Sequence, residues 1–169
     1  EVNLFKKIKS EINNKKVYYL EGDYLWGRLF KLFGWRSKSK NYSITLGAAI
    51  HIIDLFNWFL NDKPTHVFAV GNNLLTKGSK FKGLSLTSYF FKYKNGIIAK
   101  ISANAGCIHP HFHEIKIFQK DKTIVSNLKN QFKINNVNKI TNFSKSKSNY
   151  PDKKNRKKII RGFIDAILD

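Results

Sequence analysis

The sequence predicts an α+β domain: an open, mainly antiparallel β-sheet carrying helices on one face. Three observations carry this expectation. Helical periodicity sits at both ends of the chain and once in its first half. From residue 64 onward, short runs rich in β-formers follow one another, separated by turn residues. Asn95-Gly96 stands between two of these runs, a strong short-range signal for a hairpin, here expected as a type I′ turn with positive φ at both residues. A sheet of this kind needs its second face covered, which points to a second domain or a second subunit.

In chain order, Leu4, Phe5, Ile8 and Ile12 recur at helical spacing between lysines, so Val2 to Asn13 is predicted as an amphipathic helix ending at Asn13-Asn14. Val17 to Tyr24 follows as a strand. Leu25 to Phe33 is a short apolar piece closed by Gly34, and Ser37 to Ser43 is polar loop. A longer helix is expected from Ile44 to Leu60. Asn61-Asp62-Lys63-Pro64 stops it, because proline disfavours the α region for the residue before it. Strands are then expected at His66 to Asn72, Leu84 to Tyr93, Ile97 to Ala103, Phe112 to Phe118, Thr123 to Val125 and Gln131 to Ile134. The whole chain, 1–169, is expected as a single domain, with 142–158 a Lys-rich linker and Ile159 to Leu168 a closing helix.

Composition narrows the function classes. With 42% hydrophobic and 14% aromatic residues the chain can build a core, which excludes a disordered basic tail. No uninterrupted apolar run approaches the roughly 18 residues of a membrane span. Lys6, Lys7 and Lys9 break any signal-peptide core. A lone Cys107 forms no internal disulfide, so the reducing cytoplasm is the expected location. Lys+Arg at 31 against Asp+Glu at 11 give a net charge of +20. This is either a footprint for phosphate or lysine and asparagine drift at surface positions. The lysines recur along the whole chain instead of forming a stripe, which favours drift.

The Ile44 to Leu60 helix is apolar nearly all round and should be buried. Its strongly polar side chains are His51, Asp54 and Asn57, at i, i+3 and i+6, with Gly47, Ala48 and Ala49 leaving space beside the imidazole. A histidine with a free approach and a carboxylate to orient it can serve as a general acid/base or bind a substrate hydroxyl. The alternative is a core histidine bonded to a backbone carbonyl. Cys107, His109, His111 and His113 would point to one side of an extended chain, about 7 Å apart, which invites a metal hypothesis. The competing reading is a strand-edge loop turned by Pro110. Lys145 to Arg161 is dense in positive charge, but only Tyr150 offers a stacking surface, so a solvated linker is favoured over a nucleic-acid site.

The run Trp35-Arg36, a loop, then Leu46-Gly47-Ala48-Ala49-Ile50-His51-Ile52-Ile53-Asp54-Leu55 resembles the signature of the second domain of the Gfo/Idh/MocA oxidoreductases. That signature is a Trp-Arg, a Gly-rich stretch and Asp-x-Gly-x-His-x-x-Asp. The resemblance extends through VYYLEGDY, the Asn95-Gly96 hairpin and Phe163-Ile164-Asp165-Ala166-Ile167, and so covers most of the chain.

The resemblance implies a C-terminal substrate and oligomerisation domain, similar in fold to that of glyceraldehyde-3-phosphate dehydrogenase. It further implies an NAD(P)-dependent dehydrogenase acting on a sugar, sugar nucleotide or cyclitol, and a homo-oligomer formed through the open sheet face. His51 would contact the reacting hydroxyl. Arg36, Trp35, Tyr24, Asp54 and Asn57 would contact substrate or border its cleft. NAD or NADP would be bound by a Rossmann domain preceding Glu1, because no Gly-x-Gly-x-x-Gly follows a strand here. The absence of Met and the start at Glu1-Val2-Asn3 carry the same expectation of a fragment. Gly47 stands where the family has Asp, and Ala49 where it has Gly. The alternative from another class is a non-catalytic basic binding module for nucleic acid or an anionic surface, and the two departures leave open a third possibility, a degenerate paralogue kept for assembly.

Overall fold

A computed structural model describes residues 2–136, 139–145 and 161. Two helices, α1 (Val2–Ser10) and α2 (Ile50–Leu60), accompany eight strands: β1 (Val17–Leu25), β2 (Pro64–Asn72), β3 (Leu86–Tyr93), β4 (Ile98–Asn104), β5 (Phe112–Gln119), β6 (Thr123–Ser126), β7 (Asn130–Asn136) and β8 (Lys139–Lys145). The strands form one open sheet in the order β2-β3-β4-β1-β5-β6-β7-β8. All neighbours are antiparallel except β1 and β4. The predicted fold class is therefore the observed one.

Alternation along the strands decides which face is covered. Leu20, Gly22 and Tyr24 of β1, and Ala99, Ile101 and Ala103 of β4, are buried under the helices. The residues between them turn to the other face, where Phe68, Phe90, Lys100, Glu21 and Lys116 stand in register across five strands. Gly22 sets how closely α2 can lie: a Cβ there would meet Ile52 Cγ2 at 2.5 Å and Phe56 Cζ at 2.9 Å. The glycine lets the helix sit directly on the central strand. Phe56 and Phe59 fill the layer between, and Phe5 of α1 packs edge-on to Phe59 at 6.3 Å.

Several boundaries differ from the sequence expectation. α1 stops at Ser10. Asn13 to Lys16 form a turn that Gln119 holds, its Oε1 accepting from Asn13 N and its Nε2 donating to Glu11 O. The Ile44 to Leu60 helix is not uniform: Thr45–Ala49 is a π-helical turn, and regular α-helix begins at Ile50. Nor is it buried all round. Ile52, Phe56, Phe59 and Leu60 face the sheet, while Leu46, Ile50, His51, Asp54 and Trp58 are exposed. Asn61 ends it in the left-handed conformation (φ 51°), its N–H donating to Asn57 O.

The Asn95-Gly96 turn forms, but not as type I′. Only Gly96 has positive φ (86°), and the bonds Gly96 N to Tyr93 O and Tyr93 N to Ile97 O close a three-residue loop with glycine in its last place. Residues 142–145, expected in a linker, belong to β8, which pairs with β7. The rest of that linker, 146–158, and the closing helix other than Arg161 lie outside the described residues.

Candidate functional site

Three elements meet at one end of the sheet: the C-terminal end of β1, the start of β5 and the first turn of α2. The β1/β5 register sets Tyr24 opposite His113, and on its other side Tyr24 faces the small Ala103 of β4. Three imidazoles surround the buried Tyr24 ring. Its centroid lies 4.4 Å from that of His113, 5.2 Å from His111 and 5.9 Å from His51, the last nearly parallel at 23°. His51 and His113 also stack, at 6.5 Å. Tyr24 Oη and His111 Nε2 share a hydrogen bond of 2.9 Å.

The histidines differ in exposure. Burial pushes His113 down to about 3, with His111 and His51 adding to the effect. His111 is lowered to about 4, first by burial and then by the charges of Arg28, Lys31 and His51. Both imidazoles are therefore neutral at pH 7. His51 lies exposed at the rim, the second residue of α2 and just after the π turn. Such bulges recur at functional sites because they displace the side chains that follow them. A solvent-facing imidazole backed by a phenol and two neutral imidazoles can exchange a proton with a group that approaches it from solvent.

A second group borders this one. Trp35–Ser37 is a 3₁₀ turn presenting Arg36, whose guanidinium carbon lies 4.4 Å from the Trp35 ring, 5.2 Å from Tyr42 and 5.5 Å from Trp26. Trp35 itself is 62% exposed and meets Tyr42 edge-on at 5.7 Å. The space expected beside His51 at Gly47 is occupied, because a Cβ there would overlap the Tyr42 phenol. Thr45 Oγ1 and the Tyr89 hydroxyl, 2.5 Å apart, tie the π turn to β3.

Of the residues singled out in the sequence, the structure thus brings together His51 with Tyr24, and Arg36 with Trp35. Asp54 is exposed and forms no ion pair among the described residues. Asn57 turns away from this end: its Oδ1 accepts from the Tyr93 hydroxyl at 3.0 Å and joins α2 to β3. Tyr42 and Trp26 were not singled out in the sequence. Tyr42 lies in what reads as polar loop, and its aromatic ring beside Trp35-Arg36 was the signal available.

The Cys107 to His113 run does not extend as one strand. β5 begins at Phe112, and residues 105–111 form bends. His109 Nδ1 contacts Pro110 O at 2.7 Å, and its Nε2 stands 3.9 Å from Glu114. Cys107 Sγ donates to Asn104 O, and burial pushes its thiol up, away from the thiolate a metal requires. His111 and His113 join Tyr24 instead. Among the described residues no three His, Cys, Asp or Glu are placed to hold a metal ion.

A dinucleotide cradle needs a strand running through a glycine turn into a helix. Here β1 leads into a 3₁₀ turn at Leu29–Leu32, and α2 is entered from a loop and the π turn. The described residues do not fit that group.

The chain belongs to the GFO/IDH/MocA family: the sequence model of the family's C-terminal domain matches residues 15–125. Solved structures agree in fold. An inositol dehydrogenase homolog complexed with NAD+ from Azotobacter vinelandii superposes with TM-score 0.71 at 10% identity, covering 87% of this chain and 42% of that one. A UDP-N-acetylglucosamine 3-dehydrogenase from Acidithiobacillus ferrooxidans gives 0.63 at 18% identity, covering 85% and 43%. Myo-inositol 2-dehydrogenase from Lactobacillus plantarum gives 0.61 at 16%, covering 83% and 44%. The chain spans less than half the length of each. No curated protein sequence matches it. It is a domain of an oxidoreductase family, and no helix among the described residues is long and apolar enough to cross a membrane.

Proposed function

We propose that this chain is the substrate and oligomerisation half of an NAD(P)-dependent dehydrogenase acting on a secondary alcohol of a sugar, sugar nucleotide or cyclitol. The observation that carries it is His51, held at an exposed rim by Tyr24 and His113 in a chain of this family. A Rossmann domain elsewhere in the whole protein would bind the nicotinamide, which supplies the hydride acceptor when present. This chain's share is positioning and proton transfer. His51 takes the proton of the reacting hydroxyl, Tyr24 and His113 orient its ring, and Arg36 borders the cleft. Phe30, Trp35, Leu46 and Ile50 are exposed large apolar side chains, of the kind a second domain could cover.

The open sheet face supports self-association. Phe68, Phe90 and Ile98 are exposed there around a shallow groove of about 280 Å³. The lone Cys107 supports a reducing cytoplasmic location. The test is turnover of sugar and cyclitol alcohols by the two-domain protein, with and without His51→Ala. For the chain alone, calorimetry is expected to give no saturable NAD(P) binding, and micromolar binding would refute the division of labour.

A second reading is favoured by one observation, the Tyr42 phenol in place of any side chain at residue 47. In a degenerate paralogue kept for assembly, the two-domain protein would oligomerise and turn over no alcohol.

A further inference from the structure

In the segment leading into α2 the structure leaves two buried polar atoms with no hydrogen-bond partner, Arg36 Nε and the Tyr42 hydroxyl. They belong to one cluster, since the guanidinium stands over the Tyr42 ring at 5.2 Å. Buried donors in native proteins are normally satisfied, so two in one place ask for an acceptor. The rings of Trp26, Trp35 and Tyr42 pack around Arg36, and the Tyr42 oxygen, the one acceptor atom among these three side chains, makes no hydrogen bond to it. No carboxylate among the described residues pairs with Arg36, Arg28 or Lys31.

The cluster is continuous with the His51 rim. Tyr42 lies against Gly47, one turn before His51 on the same stretch of helix. Arg28 and Lys31 lie close enough to His111 for their charges to act on it. Arg28 and Lys31 thus act on the same histidine group whose helix Tyr42 touches, and Arg36 Nε and the Tyr42 hydroxyl beside them lack partners.

We infer that Arg36 and Tyr42, flanked by Arg28 and Lys31, form an anion subsite beside His51, so that the substrate carries a carboxylate or phosphate group on its sugar or cyclitol ring. The inference rests on the proposed dehydrogenase reading, which it narrows. A planar guanidinium fixed by stacking presents N–H donors in a fork that matches either oxyanion, and the phenol adds a neutral donor. Holding the anion at Arg36 would orient the ring so that a hydroxyl a few atoms away reaches His51.

The experiment titrates the 169-residue chain with glucuronate, glucose 6-phosphate and glucose, at fixed low salt, by ligand-observed NMR. At least one anionic probe is expected to bind roughly tenfold or more tightly than glucose, as charge-assisted hydrogen bonds supply. Whichever anion binds better identifies the group. Arg36→Leu should remove the margin and Tyr42→Phe should reduce it, while Lys129→Gln, remote from the cleft, should leave it unchanged. Where melting shows Arg36→Leu unfolded, Arg36→Lys carries the test, keeping charge but losing the Nε donor. Equal binding of all three probes, binding of none, or a margin that survives loss of the Arg36 donors would overturn the inference. Turnover of a neutral cyclitol that depends on His51 would do so too, and would leave the dehydrogenase reading standing.

Discussion

The phenol of Tyr42 fills the volume that any side chain at residue 47 would require. The loop that holds Tyr42 and the π turn that follows it are thereby locked together. Gly47→Asp is expected to displace Tyr42 and destabilise the chain by about 1–3 kcal/mol, the usual range for overpacking. Pairing it with Tyr42→Ala should recover part of that loss. Denaturant melts of the two single variants and the double variant measure the coupling.

His51→Ala in the two-domain protein should lower kcat by roughly a hundredfold or more if the imidazole moves the proton. The fold should be unaffected, because His51 lies at an exposed rim. Unchanged turnover with an intact melting curve would remove His51 from the mechanism.

Acid should destabilise the protein through His111 and His113. Their folded values, about 4 and about 3, lie below the ~6.5 of a free histidine. Below pH ~6.5 the unfolded chain therefore binds protons that the folded chain refuses. Stability is flat above that value and falls as pH drops from ~6.5 towards 4. His113→Gln should flatten this fall in melting temperatures recorded between pH 7.5 and 4. Glu11, held below the usual carboxylate range by its hydrogen bonds from Lys122 and Lys133, adds a loss of the same sign at still lower pH.

Phe90→Glu combined with Phe68→Ser should convert an assembly formed through the open face to monomer without unfolding it. Both side chains are exposed on that face, in register with each other. Sedimentation velocity distinguishes the states, and an unchanged oligomer would place its interface elsewhere.

What could be read from the sequence follows from where the information lies. β3 and β4 were legible because their β-formers gather in two short runs on either side of Asn95-Gly96, where the connecting loop forms. His51 was legible as a polar break in an apolar helix. The gathering of His111 and His113 around Tyr24 was not, because it depends on the β1/β5 register, fixed by pairing between residues some ninety positions apart. Lys139 to Lys145 shows no clean alternation, so β8 was invisible, and with Gly47 in the helix and Tyr42 in a loop nothing local linked them.

The parallel pairing of β1 with β4 reaches beyond the folded state. β1 is the central strand, yet it is made first: Tyr19 pairs with Ile98 and Leu20 with Ile117. On a ribosome adding about 5–20 residues per second, β1 waits roughly 5–20 s for its neighbours to exist. With so much of the ladder joining distant segments, folding is expected to be slow for the chain's size. The nascent β1, with Val17-Tyr18-Tyr19-Leu20 unpaired, is the strand that stays exposed longest before its partners exist.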